Sequence, residues 1–341
     1  MAEKYNDSII TYKNMIICIE KNKFKSKYLS NLYKDLYNGD SQSASNQIDE
    51  FSKICDSIAN RRNMIYFILN PIIMIDYHLT ISLELWKKKY GENFEKWINV
   101  IAEFEELCSL AIIKHDNPYW SMPKFVCEKS KILAENIGHP LLGENRVCNS
   151  IVVEEPHEVI LITGSNMSGK STFMRTIGIN SVLAYAGAPV CADKFQCAIM
   201  NIYTCMKVSD NLGKNISSFY SEILKIKKIV EASRKDEKIL FLLDEIFKGT
   251  NSKDRHTGAV ILINQLAKSK AIGFVSTHDI ELGEMEYKYN SKVKNYHFSE
   301  YYKNNKINFD YKLKNGVSTT RNAVYLMRLA GIEIEEIDEL E

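Results

Sequence analysis

Over the first 118 residues the apolar positions recur every three or four places, the spacing of one face of a helix. Segments 9–19, 28–37, 48–60, 64–86 and 94–113 follow this pattern and predict helices. The polar run 38–45 between the second and third is a loop or a helix start. Segment 64–75 is apolar almost throughout, but Asn70-Pro71 interrupts it and Asp76 closes it. About twelve residues fall short of the ~20 that cross a bilayer, so a buried or kinked helix is expected there.

The pattern changes at Asp116-Asn117-Pro118. From Tyr119 onward short apolar, β-branched runs alternate with helical ones, the signature of a layered α/β domain. Runs 158–163, 239–243 and 271–276 read as buried parallel strands, and 173–185, followed by Gly187, as a helix. The expected organisation is an all-α region over 1–118, an α/β nucleotide-binding domain over 119–331 and an acidic tail over 332–341.

The first of those strands is joined to its helix by TGSNMSGKST, residues 163–172. Gly164, Gly169, Lys170 and Ser171 fit GxxxxGK[ST], whose backbone N–H groups wrap phosphates while the Lys reaches the outer ones and the hydroxyl holds Mg²⁺. Gly164, Ser165, Asn166, Met167, Ser168, Gly169, Lys170, Ser171 and Thr172 are therefore candidate contacts to a nucleoside triphosphate. Strand, loop and helix stand in the order such a site requires, which separates the match from a chance Gly/Ser turn. Asp244-Glu245 closes the 239–243 strand; alone, an acidic pair there is more often a solvated turn, but beside a phosphate loop the balance reverses. Asp244 is assigned to the metal and Glu245 to the base that activates water. His278, after the third strand, has two open readings: a γ-phosphate sensor, or a surface or capping residue ahead of a helix started by Asp279.

TGSNMSGKST, then LLDEIFKGTNSKD, then VSTHD, in this order, resemble the ATPase domain of the MutS family of DNA mismatch repair proteins, a branch of the ABC-type P-loop ATPases. The Asn166-Met167 pair is typical of that family. Segments 209–212 and 217–222 are similar to its signature segment, and the likeness implies that Ser217 reaches the γ-phosphate held by a second copy, making a homodimer through the ATPase domain. His139-Pro140-Leu141-Leu142, Val147 and Asn149 are similar to the stretch that enters the site near the adenine. Residues 101–111 resemble the end of the helical lever that joins DNA clamp to ATPase. The resemblance is dense over about 95–331. It implies ATP and Mg²⁺ as cofactors, ATP hydrolysis with ADP as product, and duplex or branched DNA as partner.

Departures from the family pattern sit close to these motifs. Arg146-Val147-Cys148 stands where an aromatic residue usually stacks on the base, so stacking falls to Arg146 or is lost. Asn215 and Arg255 take glycine positions, and Phe247-Lys248 replaces Gly-Arg. A mismatch-reading domain is not expected within these residues: Phe104-Glu105-Glu106 fits its Phe-x-Glu pattern but lies at core spacing in a helix. A net charge of +1 supplies no overall attraction to nucleic acid, so DNA contacts fall to local basic stripes. Lys21, Lys23, Lys25 and Lys27 read better as a solvated face. Eight cysteines without metal spacing predict reduced core residues of a cytoplasmic protein, and nothing in the sequence supports a membrane partner.

Overall fold

The computed structural model describes residues 2–37, 43–59, 64–127, 129–156, 158–206, 218–235, 237–288, 292–303 and 306–318. The chain divides into two compact units, Met1–Ile112 and Ile113–Glu341. The first is helical: α1 (Ala2–Glu20), α2 (Lys27–Asp35), α3 (Ala44–Ala59), α4 (Met64–Ile73) and α5 (Ile75–Asp116). Its core gathers Ile16, Leu36, Ile48, Trp86, Trp97, Ile101 and Phe104. Trp86 stacks on Phe51 at 4.4 Å and donates its indole N–H to the Gln47 carbonyl at 2.9 Å, so the ring buries its area without stranding its polar atom.

The single helix expected over 64–86 is broken, and its second part runs on without pause through 94–113. The break falls at Met74, which adopts a left-handed φ of 52°, and not at Pro71, which lies inside α4. Asn70 causes it: its side-chain oxygen accepts the Asp76 N–H at 3.0 Å and its amide donates to the Asp76 carboxylate at 2.8 Å, capping α5 from within α4. The apolar segment is kinked but not buried, since Ile68 and Ile72 are 65% and 75% exposed. On α5 the core side is set by Trp86, Tyr90 and Trp97, which leaves Tyr77, Ile81 and Leu85 on the outer side. Among the described residues no helix is long and apolar enough to cross a membrane. Of the eight free cysteines only Cys191, Cys197 and Cys205 are buried; Cys18, Cys108 and Cys127 are exposed, so the expectation of core thiols holds for part of the set.

The second unit is α/β. β1 (Lys124–Phe125), β2 (Ile132–Ile137) and β3 (Asn149–Val153) precede β4 (Val159–Thr163), α6 (Lys170–Tyr185), β5 (Lys194–Cys197) and β6 (Asn201–Cys205). Then come α7 (Ser218–Arg234), β7 (Ile239–Asp244), α8 (Ser252–Ala267), β8 (Ile272–Thr277), α9 (Met285–Lys288) and β9 (Val293–His297), followed by β10 (Glu300–Lys303), β11 (Lys306–Phe309) and β12 (Lys314–Asn315). The main sheet has the order β12-β9-β4-β8-β7-β6, with β9, β4, β8, β7 and β6 parallel and β12 antiparallel at one edge. A smaller sheet has the order β1-β5-β2-β3.

The continuous apolar runs reflect burial on both faces of the sheet. Ile160 and Ile162 of β4 pack with Phe173, Met174 and Ile177 of α6, while Val159 and Leu161 join Ile226, Leu262 and Ile263 of α7 and α8. β7 alternates in the same way, with Leu240 and Leu242 on one side and Phe241 and Leu243 on the other. Because the central strands are parallel, the residues following β4, β7 and β8 emerge together at the carboxyl end of the sheet, where ligands of open α/β sheets bind.

Candidate functional site

The loop after β4 is shaped by three residues with positive φ: Gly164 at 144°, Met167 at 66° and Gly169 at 109°. A Cβ on Gly164 would lie 2.6 Å from the Phe298 carbonyl oxygen, so only glycine lets the loop pass that close to the residue after β9. Gly169 caps α6, whose free N–H groups face the loop. Lys170 is 3% exposed, and its ammonium donates to the carbonyls of Gly164 at 2.9 Å and Ser165 at 2.8 Å. Burial lowers its pKa, against the pull of the Glu245 and Asp244 carboxylates. The Ser168 hydroxyl is 1% exposed and has no hydrogen-bond partner among the described residues. An enclosed hydroxyl without a partner, beside a buried cation and a helix N-terminus, fits an anion with several acceptor oxygens.

A cavity of about 480 Å³ opens over this loop, within the range of small-molecule sites. Asn166, Met167, Ser168, Gly169, Lys170, Ser171, Thr172, Val147, Asn149 and Glu245 line it, and so do His139, Leu142, Phe298 and Tyr311. Gly164, Ser165, Asp244 and His278 are not on its wall. Ser217 and the segment 209–212 lie outside the described residues.

The acidic pair is not directly beside β4, because β8 runs between β4 and β7. β8 supplies the connection: the Ser276 hydroxyl donates to Asp244 Oδ1 at 2.5 Å, and the Glu245 N–H donates to Ser276 at 3.1 Å. Glu245 takes a left-handed φ of 49°. Its carboxylate meets His278 Nε2 at 2.7 Å, bonds to Lys248 and lies 3.8 Å from the Lys170 ammonium. The His278 and Lys248 hydrogen bonds hold the Glu245 carboxyl at about 2, against a burial effect that works the other way. Asp279 accepts the Glu281 N–H at 3.1 Å, so it does cap the turn after β8, and it also receives His256 at 2.7 Å. His278 itself is engaged with Glu245.

On the other side of the cavity, Asn149 lines the wall but its amide is committed to structure. It donates to the Tyr311 carbonyl at 3.0 Å and accepts the Leu313 N–H at 2.8 Å, tying β3 to the segment before β12. Arg146 is not on the cavity wall; its guanidinium donates to the Gly143 carbonyl at 2.9 Å, and its methylenes lie against Gly138. Of the aromatic side chains lining the cavity, Phe173 and Phe298 are buried and Tyr311 is the exposed one, stacked on Phe309 with centroids 5.9 Å apart. No local sequence signal marks Tyr311 as a site residue; the pairing of β9 with β4 and of β12 with β9 carries its segment there. Replacing Asn149 with Ala strands the Leu313 N–H and the Tyr311 carbonyl, and is expected to cost about 1–3 kcal/mol of unfolding free energy, read by chemical denaturation. Unchanged stability would show that those two bonds are readily replaced by water.

Fold and site together define an α/β protein with a glycine-rich, lysine-bearing loop and an acidic pair converging at the carboxyl end of a largely parallel sheet. The family model of MutS domain V matches residues 160–339. This chain belongs to the MutS family. A DNA mismatch repair protein MutS of Staphylococcus haemolyticus is 30% identical over 292 residues, covering 84% of this chain and 32% of the relative. One from Listeria monocytogenes is 30% identical over 263 residues, 75% of this chain and 30% of the relative, and one from Clostridium botulinum is 30% identical over 271 residues, 76% and 28%. The chain thus spans about a third of the length of these curated relatives.

Proposed function

We propose that this chain is a MutS-type, Mg²⁺-dependent ATPase, an ABC-type engine that switches a helical DNA clamp or lever. The observation that carries the reading is the meeting of a buried Lys170 with the Glu245 carboxylate, 3.8 Å apart, over a loop that only glycines can form. In this reading the amides of residues 164–172 and Lys170 hold the phosphates. Ser171 and Asp244 hold Mg²⁺, which neutralises charge on the phosphate oxygens. His139, Leu142, Val147 and Tyr311 enclose the base.

Glu245 positions the attacking water. A carboxyl held at about 2 is ionised at neutral pH and able to accept a hydrogen bond from water, but it is a weak base. Proton transfer to it therefore requires that Lys248 or His278 let go. His278, bonded to Glu245, is placed to link γ-phosphate occupancy to that release. Ser217 of a second copy completes the site, so hydrolysis is slow and depends on association of two ATPase domains.

The test is a gel-shift panel of homoduplex, mismatched and branched DNA with and without ATP, beside ATPase assays over a range of protein concentration. Salt-sensitive retention of duplex or branched DNA, altered by ATP, is the expected result, with specific activity rising with concentration. Hydrolysis without retention of any DNA at low salt would transfer the engine to a protein partner. Activity independent of concentration would remove the in-trans role of Ser217.

A further inference from the structure

The loop that carries Glu245 is held in an unfavourable backbone conformation. Glu245 and Phe247 both have left-handed φ, 49° and 61°, a region that residues with side chains seldom enter. Such a turn persists only where its surroundings fix it. Two residues on the first turns of α7 do so. Glu222 is 8% exposed, and its Oε1 accepts the Phe247 N–H. Phe219, three residues earlier and hence on the same helix face, lies against Gly249: a Cβ there would sit 2.7 Å from the Phe219 Cβ. On the opposite side the Phe247 ring rests on α8, where a Cβ on Gly258 would come within 3.3 Å of it.

We propose that Glu222 is a positioning residue that couples the start of α7 to the Glu245 carboxylate, so that hydrolysis depends on it while nucleotide binding does not. The inference rests on the ATPase reading above and adds to it a mechanical link. α7 begins at Ser218, directly after the segment expected to meet a second copy. A displacement of its first turn is transmitted through the Glu222 bond and the Phe219–Gly249 contact to residues 245–249. Glu245 sits between His278 Nε2 at 2.7 Å and the Lys170 ammonium at 3.8 Å, so a shift of its backbone changes both distances at once. A carboxylate serves here as an acceptor for one backbone N–H. The burial that raises its pKa is offset first by that same Phe247 bond.

The test uses the full chain and three variants: Glu222→Ala, Glu222→Gln and Gly249→Ala. Glu222→Ala is expected to slow single-turnover ATP hydrolysis about 10-fold to 100-fold with ATP affinity within about twofold of wild type, the loss that accompanies a misplaced catalytic group. Glu222→Gln keeps an oxygen for the Phe247 N–H and should recover to within about threefold of wild type. Gly249→Ala, which forces Phe219 away, should reproduce the rate loss of Glu222→Ala through the second contact without touching the carboxylate. A purely structural role would lower melting temperature and ATP affinity together, with no recovery in the Gln variant.

Hydrogen exchange at the Phe247 amide gives a readout independent of turnover: slow in wild type and in Glu222→Gln, fast in Glu222→Ala. Wild-type hydrolysis by Glu222→Ala, or unchanged exchange at Phe247 in that variant, overturns the coupling. A wild-type chain that hydrolyses no ATP overturns the ATPase reading instead, and the exchange measurement still decides whether Glu222 fixes the turn.

Discussion

Replacing Lys170 with Ala is expected to weaken nucleotide binding strongly: affinity for ATP with Mg²⁺, measured by isothermal titration, should fall by about 2–5 kcal/mol, on the order of 30-fold to 5 × 10³-fold. Lys170 is almost wholly enclosed, and its ammonium is oriented by the Gly164 and Ser165 carbonyls. Burial already lowers its pKa, so the charge is held in place by carbonyl oxygens and by the Glu245 and Asp244 carboxylates. A triphosphate offers that charge a stronger partner in the same low-dielectric site, which is why its loss is expected to outweigh that of an exposed ion pair. The variant also leaves the Glu245 carboxylate facing the phosphates with less compensation, adding repulsion to the lost attraction. An ATP affinity within about threefold of wild type, in a variant with wild-type circular dichroism, would move the phosphate site away from this loop.

Local order in the sequence made the central strands and the loop readable. Val159 to Thr163 is buried at every position, so burial on both faces appears as an unbroken apolar run, and the glycines that follow mark the turn. Features set by distant partners were not readable. A kink is legible at Asn70-Pro71, but its position at Met74 is set by Asn70 bonding to Asp76 across the break. The insertion of β8 between β4 and β7 is a matter of strand order, and its consequence, Ser276 bonded to Asp244, joins residues 32 apart in sequence. The family resemblance puts Asn149 at the nucleotide site and it lines the cavity, but its amide bonds to a segment 162 residues later, and that segment delivers Tyr311. Lys248 stood out in the sequence only as a departure from the family pattern; the structure pairs it with Glu245.

The second large effect is expected at that carboxylate. Glu245→Gln should leave ATP affinity intact and reduce turnover by about 10²-fold to 10⁴-fold, the range typical of removing a general acid–base group. Gln preserves the shape and one acceptor oxygen, so the His278 contact at 2.7 Å can survive while the negative charge is lost. The same substitution carries a pH signature whose sign is fixed. In the folded chain the Glu245 carboxyl is lowered from 4.5 to about 2 by His278 and then Lys248, so its ionised form stabilises the fold at every pH above 4.5. That contribution fades as the pH falls from 4.5 toward 2, because protonation then removes the charge those partners hold. Wild type should thus exceed Glu245→Gln in stability at neutral pH, with the gap in denaturation midpoint closing on acidification. A gap that widens toward acid would mean that Lys248 and His278 do not hold this carboxylate. A Gln variant that hydrolyses ATP at the normal rate would take Glu245 out of the reaction and leave the orientation of water to another group.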